Sequence, residues 1–240
     1  MKWHKWLLVL PLALLLAGCE PVDSLSPLYT DKDVVFDEAL LGQWESEGEG
    51  LNFAKLGDDG YRIVMTQKDN DTGQVTTLVF DGHLLQLQDH RFLDVVRKQS
   101  EPLGDSQAMP DVKITRTGDG LEIEPRLVRI GKGAYLELLA GESENDQDRF
   151  SLRPRQAHQF FQVVMEDEGR TLKLVQLDDS WIARQIDDGG LVIGHETVDG
   201  DSIVLTATTP ELQQLVLDHV DDEEAFRGET IVHRPDPGSR

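Results

Sequence analysis

Between Gln43 and Lys98 apolar and polar residues alternate in short runs, and the runs stop at clusters of Gly, Asp or Asn. LNFAKL ends at GDDG, YRIVMTQ ends at KDNDTG, and QVTTLVFDG, HLLQLQDH and RFLDVVRK follow. A period of two turns one side of each run toward a core and the other toward water. Turn residues recurring about every 8–12 positions then indicate antiparallel strands of a sandwich or a barrel. The pattern resumes in DVKITRT, GLEIEPRLVRI and AYLELLAG. It returns in HQFFQVVMED and RTLKLVQL, which read as a hairpin about Glu168-Gly169, and ETIVHRP is a last short strand. No strand–helix–strand rhythm is present, so a doubly wound nucleotide-binding domain is not expected. The expected fold is mainly β, an antiparallel barrel or sandwich.

Two segments break the period of two. In DDSWIARQI, Asp178 or Asp179 is a cap, and Trp181, Ile182 and Ile186 fall at helical spacing, which predicts a short helix near 179–187. In TPELQQLVLDHV, Thr209 caps, Pro210 sits at the first helical position, and Leu212, Leu215, Val216 and Val220 form one stripe. This predicts an amphipathic helix near 210–220. Ahead of the first strand, Asp37 is a good cap, Glu38 to Leu41 can make one turn, and Gly42 suits its end.

The N-terminus has a different character. Lys2 and Lys5 precede an apolar run from Trp6 to Ala17. The run is shorter than the about 20 residues needed to cross a bilayer but has the length of a secretory leader. It ends in Leu16-Ala17-Gly18-Cys19, and Cys19 is the only cysteine. This motif is similar to the lipobox of bacterial lipoproteins. The resemblance implies cleavage between Gly18 and Cys19, a thioether-linked diacylglycerol on Cys19, and acylation of its new amino group. Two or three acyl chains give a stable anchor where one holds only marginally. In such lipoproteins an Asp after the cysteine resembles an inner-membrane retention signal; Glu20 stands here, which favours the outer membrane in a Gram-negative host. The expected organisation is a leader over 1–18, a lipid-anchored tether over 19–36 and a β-rich domain over 37–234, with a flexible tail over 235–240. The later tether packs on the domain through Leu28, Tyr29, Val34, Val35 and Phe36. Residues 98–150 form an insertion or a second small sheet.

The formal net charge is −22, with 45 acids against 23 bases. That argues against nucleic-acid partners and against adhesion to anionic lipid through a basic patch. With one cysteine the domain is expected to stand on its core, without disulfides. No constellation of catalytic spacing emerges. Gly104-Asp105-Ser106 and Gly200-Asp201-Ser202 lie in turn contexts, without the strand–Ser–helix elbow of a hydrolase. The histidines lack metal-ligand spacing. Asp69 and Asp71 are followed by Gln74 where a calcium loop needs Gly. Gly131-Lys132-Gly133 is a turn rather than a phosphate loop. No cofactor and no metal are expected. The one local basic cluster, Arg153, Arg155 and His158, is a candidate anion contact.

Three stretches carry a wider likeness: PLYTDKDVVFDEALLGQWE, LKLVQLDDSWIARQI and TATTPELQQLVLDHVDDEEAF. They resemble a group of uncharacterised bacterial lipoproteins with a β-rich body, which implies fold and location but no activity. Gly42-Gln43-Trp44, following a short helical turn, also looks like the opening of lipocalins and related calycin barrels. That resemblance implies that Trp44 closes the barrel base and that a late-strand arginine, Arg234, covers it. There is no Thr-Asp-Tyr motif at the corresponding place, and the C-terminal third is helix-rich for such a barrel. The expected function is a lipid-anchored, non-enzymatic envelope protein presenting a β-rich binding or assembly module, with the membrane as partner through Cys19. The alternatives are a lipocalin-like carrier of an apolar small molecule and an envelope hydrolase. An apolar cavity of about 300 Å³ or more separates the carrier from a filled core.

Overall fold

The computed structural model describes residues 21–46, 48–68, 72–98, 113–117, 120–124, 126–140, 150–200 and 202–235. Gly18, Cys19, Ser106, Asp69, Asp71 and the tail beyond Pro235 lie outside these residues. The strands are β1 (Asp23–Ser24), β2 (Val34–Val35), β3 (Gly42–Ser46), β4 (Glu49–Leu56), β5 (Gly60–Lys68), β6 (Val75–Leu87) and β7 (His90–Lys98). They continue with β8 (Lys113–Thr117), β9 (Gly120–Glu124), β10 (Leu127–Gly131), β11 (Ala134–Ala140), β12 (Phe150–Gln156), β13 (His158–Glu166) and β14 (Thr171–Leu177). Helix α1 (Asp179–Asp187), β15 (His195–Val198), β16 (Ser202–Leu205), helix α2 (Thr209–His219) and β17 (Phe226–His233) complete the chain.

Eight strands close into an antiparallel barrel. β3 to β7 pair in chain order, β13 lies against β7, β14 against β13, and β17 against both β14 and β3. Alternation sets what faces inward. Leu51 and Phe53, Ile63, Leu93 and Val95, Leu174 and Val232 all join one buried cluster with Trp44 and Tyr61. The opposite faces of β6, β7 and β13 are apolar too. Leu85, Leu87, Phe92 and Phe160 pack outside the barrel against Trp181 and Ile182 of α1 and Leu212, Leu215 and Val216 of α2. These three strands are therefore covered on both sides.

The barrel base is closed by the short turn that precedes β3. Residues Glu38–Leu40 form one 3₁₀ turn, capped by the Asp37 carboxylate, which accepts from the Ala39 amide at 2.9 Å. Trp44, fully buried, donates its indole N–H to the Leu40 carbonyl at 2.8 Å. The Arg234 guanidinium lies 3.9 Å over the Trp44 ring and donates to the carbonyls of Leu41 at 2.7 Å and Ala39 at 2.5 Å. Gly42 has φ +99°, and a Cβ there would meet Arg234 at 3.0 Å, so both the backbone and the cation demand glycine. The Tyr61 hydroxyl donates to the Asp37 carbonyl and accepts from the Asp37 amide, and Arg91 pairs with the Asp37 carboxylate at 2.7 Å.

Several expectations are corrected. QVTTLVFDG and HLLQLQDH, read as two strands, are the single strand β6. Gly82 is no turn: a Cβ on it would press within 2.7 Å of the Asp94 carbonyl and 2.9 Å of Val95. Asp81, beside it, is held by Arg62 at 3.0 Å and Lys98 at 2.9 Å. GLEIEPRLVRI, read as one strand, contributes β9 and β10. From Pro21 onward the segment read as tether is part of the domain, because Val22, Leu25 and Leu28 are buried and β2 pairs with β6. Helix α2 starts one residue earlier than read, with Thr208 as cap; its amide and hydroxyl both donate to Glu211, at 2.8 and 2.7 Å. Between β7 and β13, β8 pairs with β9, and β10, β11 and β12 form a three-stranded sheet.

Arg234 acts on the base through charge-assisted hydrogen bonds and a ring contact at once. Arg234→Ala should lower the free energy of unfolding by about 1–3 kcal/mol, and Arg234→Lys should recover only part of it, since an ammonium cannot fork between two carbonyls. Urea denaturation checks this, and an unchanged midpoint in Arg234→Ala would exclude the role.

Candidate binding cavity

An eight-stranded barrel is just wide enough either to be filled by its own side chains or to hold one small ligand. Here Leu40, Trp44, Tyr61 and Leu84 fill the base. Above them the wall residues leave a cavity of about 470 Å³. Its walls are Leu51, Phe53, Ile63, Met65, Leu78, Phe80, Leu93, Val95, Phe161 and Leu174. That volume lies within the range of roughly 300–1,000 Å³ typical of small-molecule sites.

Apart from Thr230, opposite Leu174, the polar lining lies toward the end away from Trp44. Arg97 follows Val95 at the mouth end of β7, Gln159 precedes Phe161 on β13, and Gln176 follows Leu174 on β14; all three line the cavity. β13 and β14 pair only as far as Phe161 and Gln176. Where they part, β1 enters: Ser24 pairs with His158 of β13, Asp23 and Ser24 run parallel to Val204 and Leu205 of β16, and Pro21 bridges Asp178. Pro21, Val22 and Asp23 thus form a strap across the rim, with the β10–β11 turn (Gly131, Lys132, Gly133) beside it.

Asp23 pins the strap. It is 6% exposed. Its carboxylate accepts from the Tyr135 hydroxyl in a very short hydrogen bond and from the Gln159 amide at 2.8 Å, and Arg129 stands 3.8 Å away. Arg129 also pairs with Asp199 at 2.9 Å and lies over the Tyr135 ring. The Gly133 carbonyl accepts from the Ala157 amide at 2.8 Å, tying the turn to the start of β13. Burial pushes the Tyr135 phenol well above its ordinary pKa, and the neighbouring Asp23 charge and hydrogen bond push it in the same direction.

The residues singled out in the sequence separate into three places. Gly42, Trp44 and Arg234 come together at the base. Of Arg153, Arg155 and His158, the last two are each paired with a carboxylate of the domain. His158 binds the buried Asp94 carboxylate at 2.7 Å, and Arg155 donates to Glu137 at 3.1 Å and to the Leu25 carbonyl at 2.7 Å. Arg153 stands opposite Glu137 in the β11–β12 ladder and is exposed. The other Asp94 oxygen accepts from the Leu28 amide at 2.7 Å, so the Asp94–His158 pair fastens residues 24–28 to the barrel wall. The groups that shape the mouth, Asp23, Arg97, Tyr135 and Gln159, carried no local signal. Asp23 lies 112 positions from Tyr135 and 136 from Gln159, and only strand pairing brings them together.

No family model, curated protein or solved structure matches the chain.

All three tyrosines, Tyr29, Tyr61 and Tyr135, are raised above the ordinary phenol value, in each case first by burial. The folded protein therefore keeps protons that the unfolded chain begins to lose at about pH 10. Their contribution to stability is fully present below that pH and lost as pH rises above it. Absorbance titration at high pH should show phenolate appearing together with the loss of far-ultraviolet circular dichroism. A tyrosine ionising near pH 10 in the folded protein would contradict the assignment.

Proposed function

We propose that this protein is a lipid-anchored, non-enzymatic binding protein of the cell envelope that holds an apolar small molecule inside its barrel, as a lipocalin-like carrier does. The cavity of about 470 Å³, walled by Leu, Ile, Phe, Met and Val and open at one end, is the observation that carries this reading. A barrel serving only as a rigid display module has no need of an unfilled interior, because every unfilled volume forfeits packing contacts. The closed base, with Trp44 under Arg234, supports the same reading, since one blocked end leaves a single route for a ligand.

The anchor reading rests on Leu16-Ala17-Gly18-Cys19, and Glu20 favours the outer membrane of a Gram-negative host. Cys19 is two residues from Pro21, which lines the cavity rim. A diacylglycerol on Cys19 would hold the mouth, rather than the Trp44 base, beside the bilayer.

An apolar naphthylamine probe should bind with enhanced fluorescence at one site per chain. Met65→Trp, which places an indole in the cavity, should weaken it about tenfold or more while the barrel stays folded; unaltered binding by that variant would overturn the cavity reading. The anchor is tested separately. Intact mass of the membrane-extracted protein should show the diacylglyceryl and acyl additions, and Cys19→Ser should lack them. An unmodified Cys19 in the wild type would overturn the anchor.

A further inference from the structure

The cavity is graded from apolar to cationic along single strands. On β7, Leu93, Val95 and Arg97 line it at alternate positions, spanning about 13 Å from the first to the last at the strand rise. Arg97 stands at the rim, half-buried. The turn carrying Lys132 lies against it: a Cβ on Gly133 would sit 4.0 Å from the Arg97 Cβ. Both cations line the cavity, and among the described residues neither has an ion pair or a hydrogen bond.

The acids of the rim are committed elsewhere. Asp23 is occupied by Tyr135, Gln159 and Arg129, and Asp199 by Arg129. Asp179 lies in the first turn of α1, where the positive end of the helix dipole faces it, and it accepts from the Ser180 hydroxyl at 3.2 Å. Arg97 and Lys132 are the charged groups at the mouth without such a partner among the described residues, on a chain whose net charge of −22 repels anions elsewhere. A neutral apolar ligand would bury its body and leave both cations unused.

We propose that the cavity takes a single-chain amphiphile with an anionic head: the hydrocarbon tail lies among the barrel residues and the head sits between Arg97 and Lys132. This rests on the cavity-binding reading above and adds the class of ligand. Charge attraction at the rim draws the head, and the apolar wall accepts the tail, so the ligand enters tail first and stops where Arg97 and Lys132 meet the head.

The test uses the chain from residue 20, which retains every described residue, with cis-parinaric acid and its methyl ester as probes of equal tail and different head. At low salt the acid should bind about tenfold more tightly than the ester, the effect expected of one partly screened charge pair, and the gap should narrow in 0.5 M salt. The Arg97→Gln/Lys132→Gln double variant should bind the acid no more tightly than it binds the ester. Lys132→Glu, at an exposed turn where folding is not at stake, should weaken the acid alone. Equal binding of acid and ester by the wild type overturns the proposal, as does an acid preference that survives in both variants. If neither probe binds, the cavity reading itself falls. If both bind equally, the cavity reading stands and only the anionic head is lost.

Discussion

The open interior of this eight-stranded barrel is stopped at one end, and at the centre of the stop is a polar–aromatic assembly. Arg234 presses on the Trp44 ring and draws the carbonyls of Ala39 and Leu41 onto itself, while Trp44 takes the carbonyl of Leu40. The Leu40 carbonyl of the 3₁₀ turn is buried and needs a partner, which the indole supplies, while the Ala39 and Leu41 carbonyls lie nearer the surface, where the guanidinium meets them. Meeting them with one guanidinium and one indole lets the turn plug the barrel. The first strand is thereby joined to the last, because Trp44 lies on β3 and Arg234 directly follows β17. That contact seals the base beside the His233–Glu45 pairing that closes the barrel.

The second organising fact is that one side of the wall is covered on both faces. β6, β7 and β13 turn Leu84, Leu93 and Val163 inward and Leu85, Phe92 and Phe160 outward. Helices α1 and α2 cover the outward residues, and Asp178 serves both partners: it caps α1 by accepting from the Trp181 amide at 2.6 Å and binds Arg227 of β17 at 2.6 Å. The helices thus brace the barrel from outside and leave the interior unoccupied. The excursion between β7 and β13 and the N-terminal strap meet at the mouth, where β13 and β14 part. Asp23, Tyr135, Gln159 and Arg129 hold them as one polar group around the buried Asp23 carboxylate, which accepts from both Tyr135 and Gln159. Such a network is worth having only when it is fully satisfied.

Much of the fold was legible because its signals are local. Strands β4, β5, β7, β13 and β14, the turn at Glu38–Leu40 and both helices follow from alternation, caps and turn residues, each of which acts within a few positions. The misreadings have physical causes. Asp81-Gly82 carries turn composition, yet β6 runs straight through it because Gly82 is needed where the Asp94 carbonyl approaches. Thr208 rather than Thr209 caps α2 because Glu211 stands three residues beyond it, the spacing of a reciprocal cap. Arg153, Arg155 and His158 are close in sequence, but β12 and β13 belong to different sheets. His158 was claimed by Asp94 and Arg155 by Glu137, partners that no local spacing predicts.

By itself the sequence determined an antiparallel β body, two helices at their places and an acidic composition, and it carries the Leu16-Ala17-Gly18-Cys19 motif on which the anchor proposal rests. The Gly42-Gln43-Trp44 opening marked which strand begins the barrel. Only the tertiary structure decided that the barrel closes through β17, that its lower half is filled and its upper half is not, and that Arg97 and Lys132 stand together at the mouth beside a committed Asp23. The physical reason is that a cavity belongs to no residue. It is what remains when side chains from seven barrel strands fail to meet, and neither that shortfall nor the company of charges at its rim has a period or a spacing along the chain.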